Sequence, residues 1–288
     1  MLKSLGIAVI AIVLLGMGVF AMSSTQQINV ASENHTDAAV VEQLVQEETV
    51  VIEHSAPEMT MTPPNPVQNI PILVYHSIAP APTDRAESAL QKRFRVSPEN
   101  FKAQMEYLQD NNYTPITFRH VSEYLLFSKE IPEKPVVLTF DDGLLNQYEY
   151  AIPVLRDAGF SATFFIYPGV TSHRGFMNWE QLQELVDDGH EIGSHSVIHY
   201  NLTTVDDATL QNELIASKKE LEEKLGIIVN TLAYPHYAEN DIVRNAVADA
   251  GYISARAGWR AVTNSADEIL HFKAQEVGNG VNPFVGPR

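Results

Sequence analysis

Residues 134–143 read KPVVLTFDDG, and this stretch decides the predicted fold. Its first seven residues are a continuous, β-rich apolar run that lacks the alternation of a strand with one face in water. Such runs are typical of strands covered on both faces, as in a parallel sheet flanked by helices. The run ends in two adjacent carboxylates and a glycine. The stretch therefore predicts an α/β protein with polar chemistry at the carboxyl end of a buried strand.

Further runs of this kind lie on both sides of the strand, and helical patterns separate them. Strands are predicted at 71–77, 161–167, 190–196, 227–234 and 252–256. Each unit takes roughly 25–35 residues, as βαβ repeats require, and we count about six or seven units. We therefore expect a single distorted (β/α) barrel of about seven units over 68–288, with its active site at the carboxyl ends of the strands. An open, doubly wound sheet is the structural alternative.

The amino-terminal part of the chain has a different character. An apolar run over 5–20 follows Lys3, and small residues precede a possible cleavage point after Ala21. Residues 1–22 are therefore predicted to be a signal peptide or an N-terminal membrane anchor. Residues 23–67 hold seven acidic and no basic residues and end in a proline-rich stretch. Such a segment buries too little apolar surface to fold, so we expect a disordered tether.

Composition excludes several classes of function. The chain has 288 residues and a formal net charge of −17, which is a poor match for nucleic acid because phosphate neutralisation needs a basic surface. The same charge argues against docking onto anionic lipid, so membrane contact is expected only through the N-terminal segment. Cysteine is absent, which excludes disulfides, thiolate zinc sites and cysteine nucleophiles.

Three groups of polar residues follow predicted strands. Asp141 and Asp142 end the first, His195 lies at the end of another with His199 four residues later, and 234–236 follow a third. Each group alone has an ordinary structural explanation, because Asp-Asp-Gly is a common turn sequence and two histidines can be surface residues. In a barrel, however, the loops after the strands meet at one face. Two imidazoles and one carboxylate would form a catalytic metal site there, and the second carboxylate would be free to act as a base.

These residues also carry a family resemblance. TFDDG (139–143) followed by SHSVIH (194–199) resembles the polysaccharide deacetylase family, the NodB-homology or carbohydrate esterase family 4. Three longer stretches resemble the branch that includes the poly-N-acetylglucosamine deacetylases: IPILVYHSI (70–78), NWEQLQELVDDGHEIGSH (178–195) and LAYPHYAENDIV (232–243). The resemblance covers essentially all of the chain after the tether.

The resemblance implies a role for each matching residue. Asp142, His195 and His199 would bind a divalent metal, commonly Zn²⁺, and Asp141 would be the general base that activates water. A backbone N–H near 234–236 would stabilise the oxyanion. An amide is a poor electrophile, so a Lewis acid and a positioned base are both needed.

The chain also departs from the family pattern. Tyr200 replaces a proline, Ala233 replaces the arginine that braces the catalytic aspartate, and His236-Tyr237 replace a substrate-facing Tyr-Gly pair. The general acid is therefore open, with His271 and His236 as the two candidates. The metal ligands are not affected by these departures.

Several residues are candidates for substrate contact. Tyr234 and Pro235 are expected to shape the floor of the groove. Trp179 and Trp259 could stack on sugar rings, although a tryptophan that begins a helix with a capping box, as Trp179 does, more often packs that helix on the barrel. His76 follows the first strand and either approaches the site or is a buried structural histidine.

The sequence therefore predicts an exported, metal-dependent N-deacetylase at the cell surface, in the periplasm or secreted. Its partner would be an N-acetylglucosamine polymer: the poly-N-acetylglucosamine of a biofilm matrix, peptidoglycan or chitin oligomers. Two alternatives stay open, a polysaccharide-binding surface protein with little turnover and an O-acetyl esterase.

Overall fold

The protein is described from a computed structural model, and it divides into an amino-terminal and a larger carboxy-terminal unit. The structure describes residues 9–15, 18–24, 70–83, 86–258 and 268–286. In the amino-terminal unit, β1 (Val9–Leu15) and β2 (Gly18–Ser24) pair as an antiparallel hairpin. Among the described residues, no helix is long and apolar enough to cross a membrane. Export stays a prediction, and nearly all of the predicted tether lies outside the described residues.

The carboxy-terminal unit alternates strands with helices. Its strands are β3 (Ile72–Tyr75), β4 (Ser77–Ile78), β5 (Arg95–Val96), β6 (Thr114–Ile116), β7 (Pro135–Asp141), β8 (Thr163–Ile166), β9 (Glu191–Ser194), β10 (Thr231–Ala233), β11 (Ser254–Arg256) and β12 (Gln275–Glu276). Its helices are α1 (Ala89–Phe94), α2 (Pro98–Asp110), α3 (Phe118–Phe127), α4 (Ile152–Ala158), α5 (Trp179–Asp187), α6 (Asp207–Leu225) and α7 (Asp241–Asp249).

The main sheet is parallel and curled. Its strand order is β11-β10-β9-β8-β7-β3-β12, and β6 pairs with the first half of β7. After β11, the chain returns beside that strand at Phe272 and then pairs with β3 through β12. The curled sheet forms a half-barrel, and this confirms the predicted α/β fold with a distorted (β/α) barrel.

Alternation along β7 sorts its side chains between two apolar clusters. Val136, Leu138 and Phe140 belong to the cluster shared with the outer helices. Val137 belongs to the inner cluster with Phe165 of β8 and with the apolar residues of α3. Burial on both faces explains why the sequence of this strand is mostly apolar.

Helix α3 closes the amino-terminal end of the half-barrel. The backbone N–H of Phe118 donates to Thr163 Oγ1 at 2.9 Å, and that of Arg119 donates to Glu191 Oε2 at 2.8 Å. Glu191 also accepts from the hydroxyls of Thr163 and Thr231, both at 3.0 Å. The strand side chains therefore satisfy the free N–H groups at the start of this helix.

The carboxyl edge of the sheet carries the polar side chains. Strand β7 ends at Asp141, β9 ends one residue before His195, and β11 ends at Arg256. The loops beyond these strands hold several residues in the left-handed region, including Asp142 (φ 76°) and His199 (φ 65°). Non-glycine residues at positive φ are costly and cluster at functional sites, which points to this edge.

The buried His190 predicts how the free energy of unfolding depends on pH. This prediction does not involve the carboxyl edge of the sheet. Its Nδ1 accepts from the Ala162 N–H at 3.1 Å, and burial lowers the pKa of His190 from 6.5 to about 4. The unfolded chain therefore binds this proton first as the pH falls, so the free energy of unfolding should decrease between pH 6.5 and 4. We expect His190→Asn to reduce that decrease by on the order of 2 kcal/mol.

Urea unfolding of the metal-free protein across this pH range would measure the effect. The asparagine Oδ1 can accept the same backbone hydrogen bond, while the loss of ring contact with Phe164 lowers stability equally at every pH. Parallel pH curves for the variant and the wild type would contradict the assignment.

Candidate active site

Three side chains converge at the carboxyl edge of the sheet. The Nε2 atom of His195 lies 3.6 Å from Asp142 Oδ1, and the Nε2 atom of His199 lies 3.5 Å from the same oxygen. One ligand atom from each residue lies within 4.8 Å of the others. The structure therefore brings together the three metal ligands predicted from the sequence.

The backbone fixes the ring orientation of His195. Its Nδ1 lies 2.7 Å from the carbonyl oxygen of Ala233. A carbonyl oxygen only accepts, so Nδ1 donates and Nε2 presents its lone pair to the cluster. Burial lowers the pKa of His195 to about 3, which keeps the imidazole neutral, as metal ligation requires.

A buried carboxylate holds the loop that carries His199. Glu213 of α6 accepts from the N–H of Val197 at 2.9 Å and from the N–H of Ile198 at 3.1 Å. The N–H of His199 donates to Ser196 Oγ at 3.0 Å. Burial, with the neighbouring His236, lowers the pKa of His199 to about 4, so this imidazole is also neutral.

Asp142 completes a donor set that fits a divalent cation. Burial and the adjacent charge of Asp141 raise the pKa of Asp142 to about 7. A carboxylate in that position gains from a nearby positive ion, and neither histidine supplies one because both are neutral. Two imidazole nitrogens and one carboxylate oxygen suit Zn²⁺ and related metals, with positions left for water and substrate.

Asp141 has a separate environment on the inner side of the barrel. It is buried, and both of its oxygens accept from Nη2 of Arg256, at 2.7 and 2.5 Å. His76 Nε2 lies 3.7 Å from its Oδ2. Burial alone would raise the pKa of Asp141, but Arg256, together with His195 and His76, lowers it below its usual value. The second carboxylate is thus ionised and oriented.

In the family that the sequence resembles, an arginine at the position of Ala233 braces the catalytic aspartate. Here Arg256, on the neighbouring strand, contacts Asp141 instead. Ala233 of β10 and Arg256 of β11 are register partners in the parallel sheet. A small side chain at 233 leaves room for the guanidinium of Arg256 to reach Asp141. Arg256 is not among the site residues predicted from the sequence, although alternation in the predicted strand 252–256 could have placed it on the inner face.

Two aromatic rings enclose the Arg256 guanidinium. Its Cζ lies 5.3 Å from the ring centre of Phe165 and 5.4 Å from that of Tyr237. Tyr237 occupies the position where the family has glycine, and it keeps a positive φ of 57°. A Cβ atom on Gly258 would lie 2.6 Å from Cγ of Tyr237, so the glycine makes room for the ring.

The two general-acid candidates have different surroundings. His236 lines the cavity above the cluster, and its ring centre lies 4.5 Å from that of His199. Nδ1 of His271 lies 2.7 Å from Glu239 Oε1, and His271 is not among the residues that line the cavity. The structure therefore brings His236, and not His271, to the cluster.

The candidates for substrate contact also differ in whether they line the cavity. Tyr234 lines the cavity of about 690 Å³, and its hydroxyl donates to the Leu270 carbonyl at 2.8 Å. Pro235 is buried beside it. Trp179 is outside the cavity lining and packs against the core at the start of α5, with Lys224 Nζ 5.9 Å from its ring centre. Trp259 lies outside the described residues.

Comparison with known proteins finds a family match over the part of the chain that carries the site. A family model described as polysaccharide deacetylase matches residues 128–255, which include all three candidate ligands and Asp141. YxkH of Bacillus subtilis, whose name places it in this family, is 32% identical over 183 residues, covering 64% of this chain and 62% of YxkH. A poly-β-1,6-N-acetyl-D-glucosamine N-deacetylase of Staphylococcus aureus is 27% identical over 176 residues, covering 56% of this chain and 60% of the relative.

A solved structure extends the likeness to the fold. The crystal structure of a polysaccharide deacetylase from Bacillus cereus matches with a TM-score of 0.65 and 27% identity, covering 76% of this chain and 67% of that one. The predicted resemblance to the polysaccharide deacetylase family is therefore confirmed, and it supports a hydrolase. The chain spans about three fifths of the length of the two curated relatives, 62% and 60%.

Proposed function

We propose that the protein is a metal-dependent hydrolase that removes N-acetyl groups from an N-acetylglucosamine-containing polysaccharide. The observation that carries this proposal is the contrast between two adjacent carboxylates. Asp142 belongs to a cluster with His195 and His199, whereas Asp141 is turned inward and held by Arg256. One carboxylate is thus available as a ligand and the other as a base.

A divalent ion bound by Asp142, His195 and His199 would supply Lewis acidity for the acetyl carbonyl and would make water more acidic. Zn²⁺ is our first candidate because it accepts this mixture of nitrogen and oxygen ligands. The fixed tautomer of His195 and the Glu213-bound loop of His199 would keep both Nε2 atoms aimed at the ion.

Asp141 would accept the proton of the attacking water on a carboxylate oxygen. The water oxygen forms the new bond to the acetyl carbon, the C–N bond breaks, and acetate leaves the sugar amine behind. Arg256 keeps the Asp141 carboxylate ionised and in one orientation. A carboxylate that is held in one orientation has few conformations that are unproductive for proton transfer. This restriction is how a positioned general base accelerates a reaction.

The remaining groups would serve the leaving amine and the developing oxyanion. His236 lines the cavity and would give the amine its proton. Within 234–236, the N–H of Tyr234 already donates to the Arg256 carbonyl at 3.0 Å, and Pro235 has no N–H. We therefore assign the oxyanion contact to the backbone N–H of His236.

The protein would act on this polymer outside the cytoplasm. The apolar run over 5–20 and the acidic stretch over 23–67 support export with the catalytic unit held at, or released from, the cell surface. The name of the Staphylococcus aureus relative makes poly-N-acetylglucosamine the first polymer to test.

Acetate release from N-acetylglucosamine oligomers tests the proposal directly. With the full chain, we expect release that a chelator abolishes and that added Zn²⁺ restores, because the proposed Lewis acid is the ion held by Asp142, His195 and His199. The measurement is an enzyme-coupled acetate assay on β-1,6- and β-1,4-linked oligomers. Protein denatured by heat serves as the control for spontaneous release.

Absence of release by protein that carries stoichiometric metal would overturn the proposal. Release from O-acetylated sugars under the same conditions would then identify an esterase. Binding of the oligomers without release from either substrate would identify a polysaccharide-binding protein.

A further inference from the structure

One wall of the cavity comes from a helix that the catalytic cluster does not use. Helix α1 lines the cavity with Leu90, Gln91, Arg93 and Phe94. Within this helix no residue is buried, and Leu90 is 64% exposed. A six-residue helix with no side chain in the core contributes little to folding, so its place beside the cavity needs another explanation.

The apolar side chains of α1 form a strip that begins at the candidate base. The His76 ring, whose Nε2 lies 3.7 Å from Asp141, is 4.5 Å from the ring centre of Phe94. Leu90 precedes Phe94 by four residues and therefore lies on the same face, one turn away. One turn is about 5.4 Å, comparable with the length of a sugar ring.

The charges on this wall are paired within the protein. Nε and Nη2 of Arg93 donate to Glu276 Oε2 at 2.9 and 2.8 Å. Arg95 donates to both oxygens of Glu87, at 2.5 and 3.0 Å. The pair of Arg93 and Glu276 also joins α1 to β12. A wall whose cavity-lining charges are paired in this way suits an uncharged ligand with apolar faces, because an anion would have to compete with the carboxylates.

We propose that the strip formed by Leu90 and Phe94 is a subsite for the sugar next to the one that is deacetylated. The inference rests on the proposed function, and it names the ligand as a neutral N-acetylglucosamine oligomer of at least two units. The C–H face of a pyranose ring would pack on Leu90 and Phe94, as apolar surface does when it is removed from water. The cavity is continuous from this strip to the cluster of Asp142 and the two histidines.

A subsite of this kind acts on binding. Contacts with a sugar that does not react are equal in the ground state and the transition state, so they lower KM more than they raise kcat. The ratio of kcat/KM for a hexamer to that for the monomer, which is too short to reach the subsite, is therefore the informative quantity.

We expect Leu90→Ser to lower that ratio roughly fivefold, because a partly buried leucine contact is lost from the longer substrate. Leu90→Trp should raise the ratio, since a larger ring covers more of the sugar face. Leu126→Ser is the matched control: Leu126 is a partly exposed leucine on α3 outside the cavity lining, and its replacement should leave the ratio unchanged.

Calorimetric binding of the N-acetylglucosamine hexamer to metal-free protein gives a second readout that needs no turnover. The same order of affinities, Leu90→Trp above wild type above Leu90→Ser, is expected. Equal ratios and equal affinities for the three proteins would overturn the subsite while acetate release continues. Failure of the proposed function looks different, because wild-type protein would then release no acetate from any oligomer.

Discussion

Asp141→Asn is expected to leave the metal bound and to lower kcat/KM by roughly 100-fold or more, the usual contribution of a general base. The amide keeps the shape of the carboxylate and can still accept from Arg256, but it cannot take a proton from water. Metal content, measured by atomic emission after gel filtration, should stay at the wild-type value because Asp141 is not in the ligand cluster. Acetate release from the oligomers gives the rate.

The ligand variant His195→Ala should behave differently, with metal and activity lost together. The exposed His173 is a suitable control, and His173→Ala should change neither. An Asp141→Asn protein that works at the wild-type rate would refute its role as the base. Metal retained by His195→Ala at wild-type affinity would refute the ligand assignment. The pair of variants thus separates holding the metal from moving the proton.

Elements with strong local signals were predictable from the sequence. The run over 134–140 became β7, because a strand buried on both faces needs an apolar side chain at nearly every position. Ser97-Pro98 has the sequence pattern of a helix start, and α2 begins there, with Ser97 Oγ accepting from the Asn100 N–H at 3.2 Å. The capping box at Asn178 likewise starts α5, with Gln181 as its partner.

Elements that depend on tertiary contacts were not predictable. Helix α3 closes the end of the half-barrel, and two exposed apolar residues, Leu126 and Phe127, interrupt the polar face of its sequence. Helix α1 is too short to give a clear signal, since it has six residues, buries none of them and offers a single apolar pair at helical spacing, Leu90 and Phe94. Strand β6 has only three residues, one of them Pro115, and it is held by its pairing with β7.

The candidate site also contains some residues that were predictable from the sequence and others that were not. The ligand cluster followed from the positions of Asp142, His195 and His199 after predicted strands, because parallel strands end at one edge. The contact between Arg256 and Asp141 joins residues 115 positions apart and depends on the register of β10 with β11. The spacing of residues along the sequence does not show which residues of β10 and β11 pair with each other. The position of His271 beside Glu239 has the same cause, since it depends on how the returning chain packs.

Removal of the Arg256 side chain is the second large effect that we expect. Arg256→Met should lower the free energy of unfolding by about 3–5 kcal/mol, because it leaves the buried Asp141 carboxylate without its partner. Activity should fall with it, since the carboxylate then gains from being protonated. Urea unfolding and acetate release measure the two effects. Arg156 pairs with Asp188 at the surface, at 2.6 Å, so Arg156→Met should cost less than about 1 kcal/mol.

A swap between strands distinguishes the ion pair from a packing role of the Arg256 side chain. Ala233 and Arg256 are register partners, so an arginine at 233 has the same carboxylate within reach once position 256 is small. The double variant Ala233→Arg, Arg256→Ala should therefore be more stable and more active than Arg256→Ala alone. Ala233→Arg alone should be destabilising, because two guanidinium groups would compete for one carboxylate. Additive effects in this double-mutant cycle would mean that the two positions do not share Asp141.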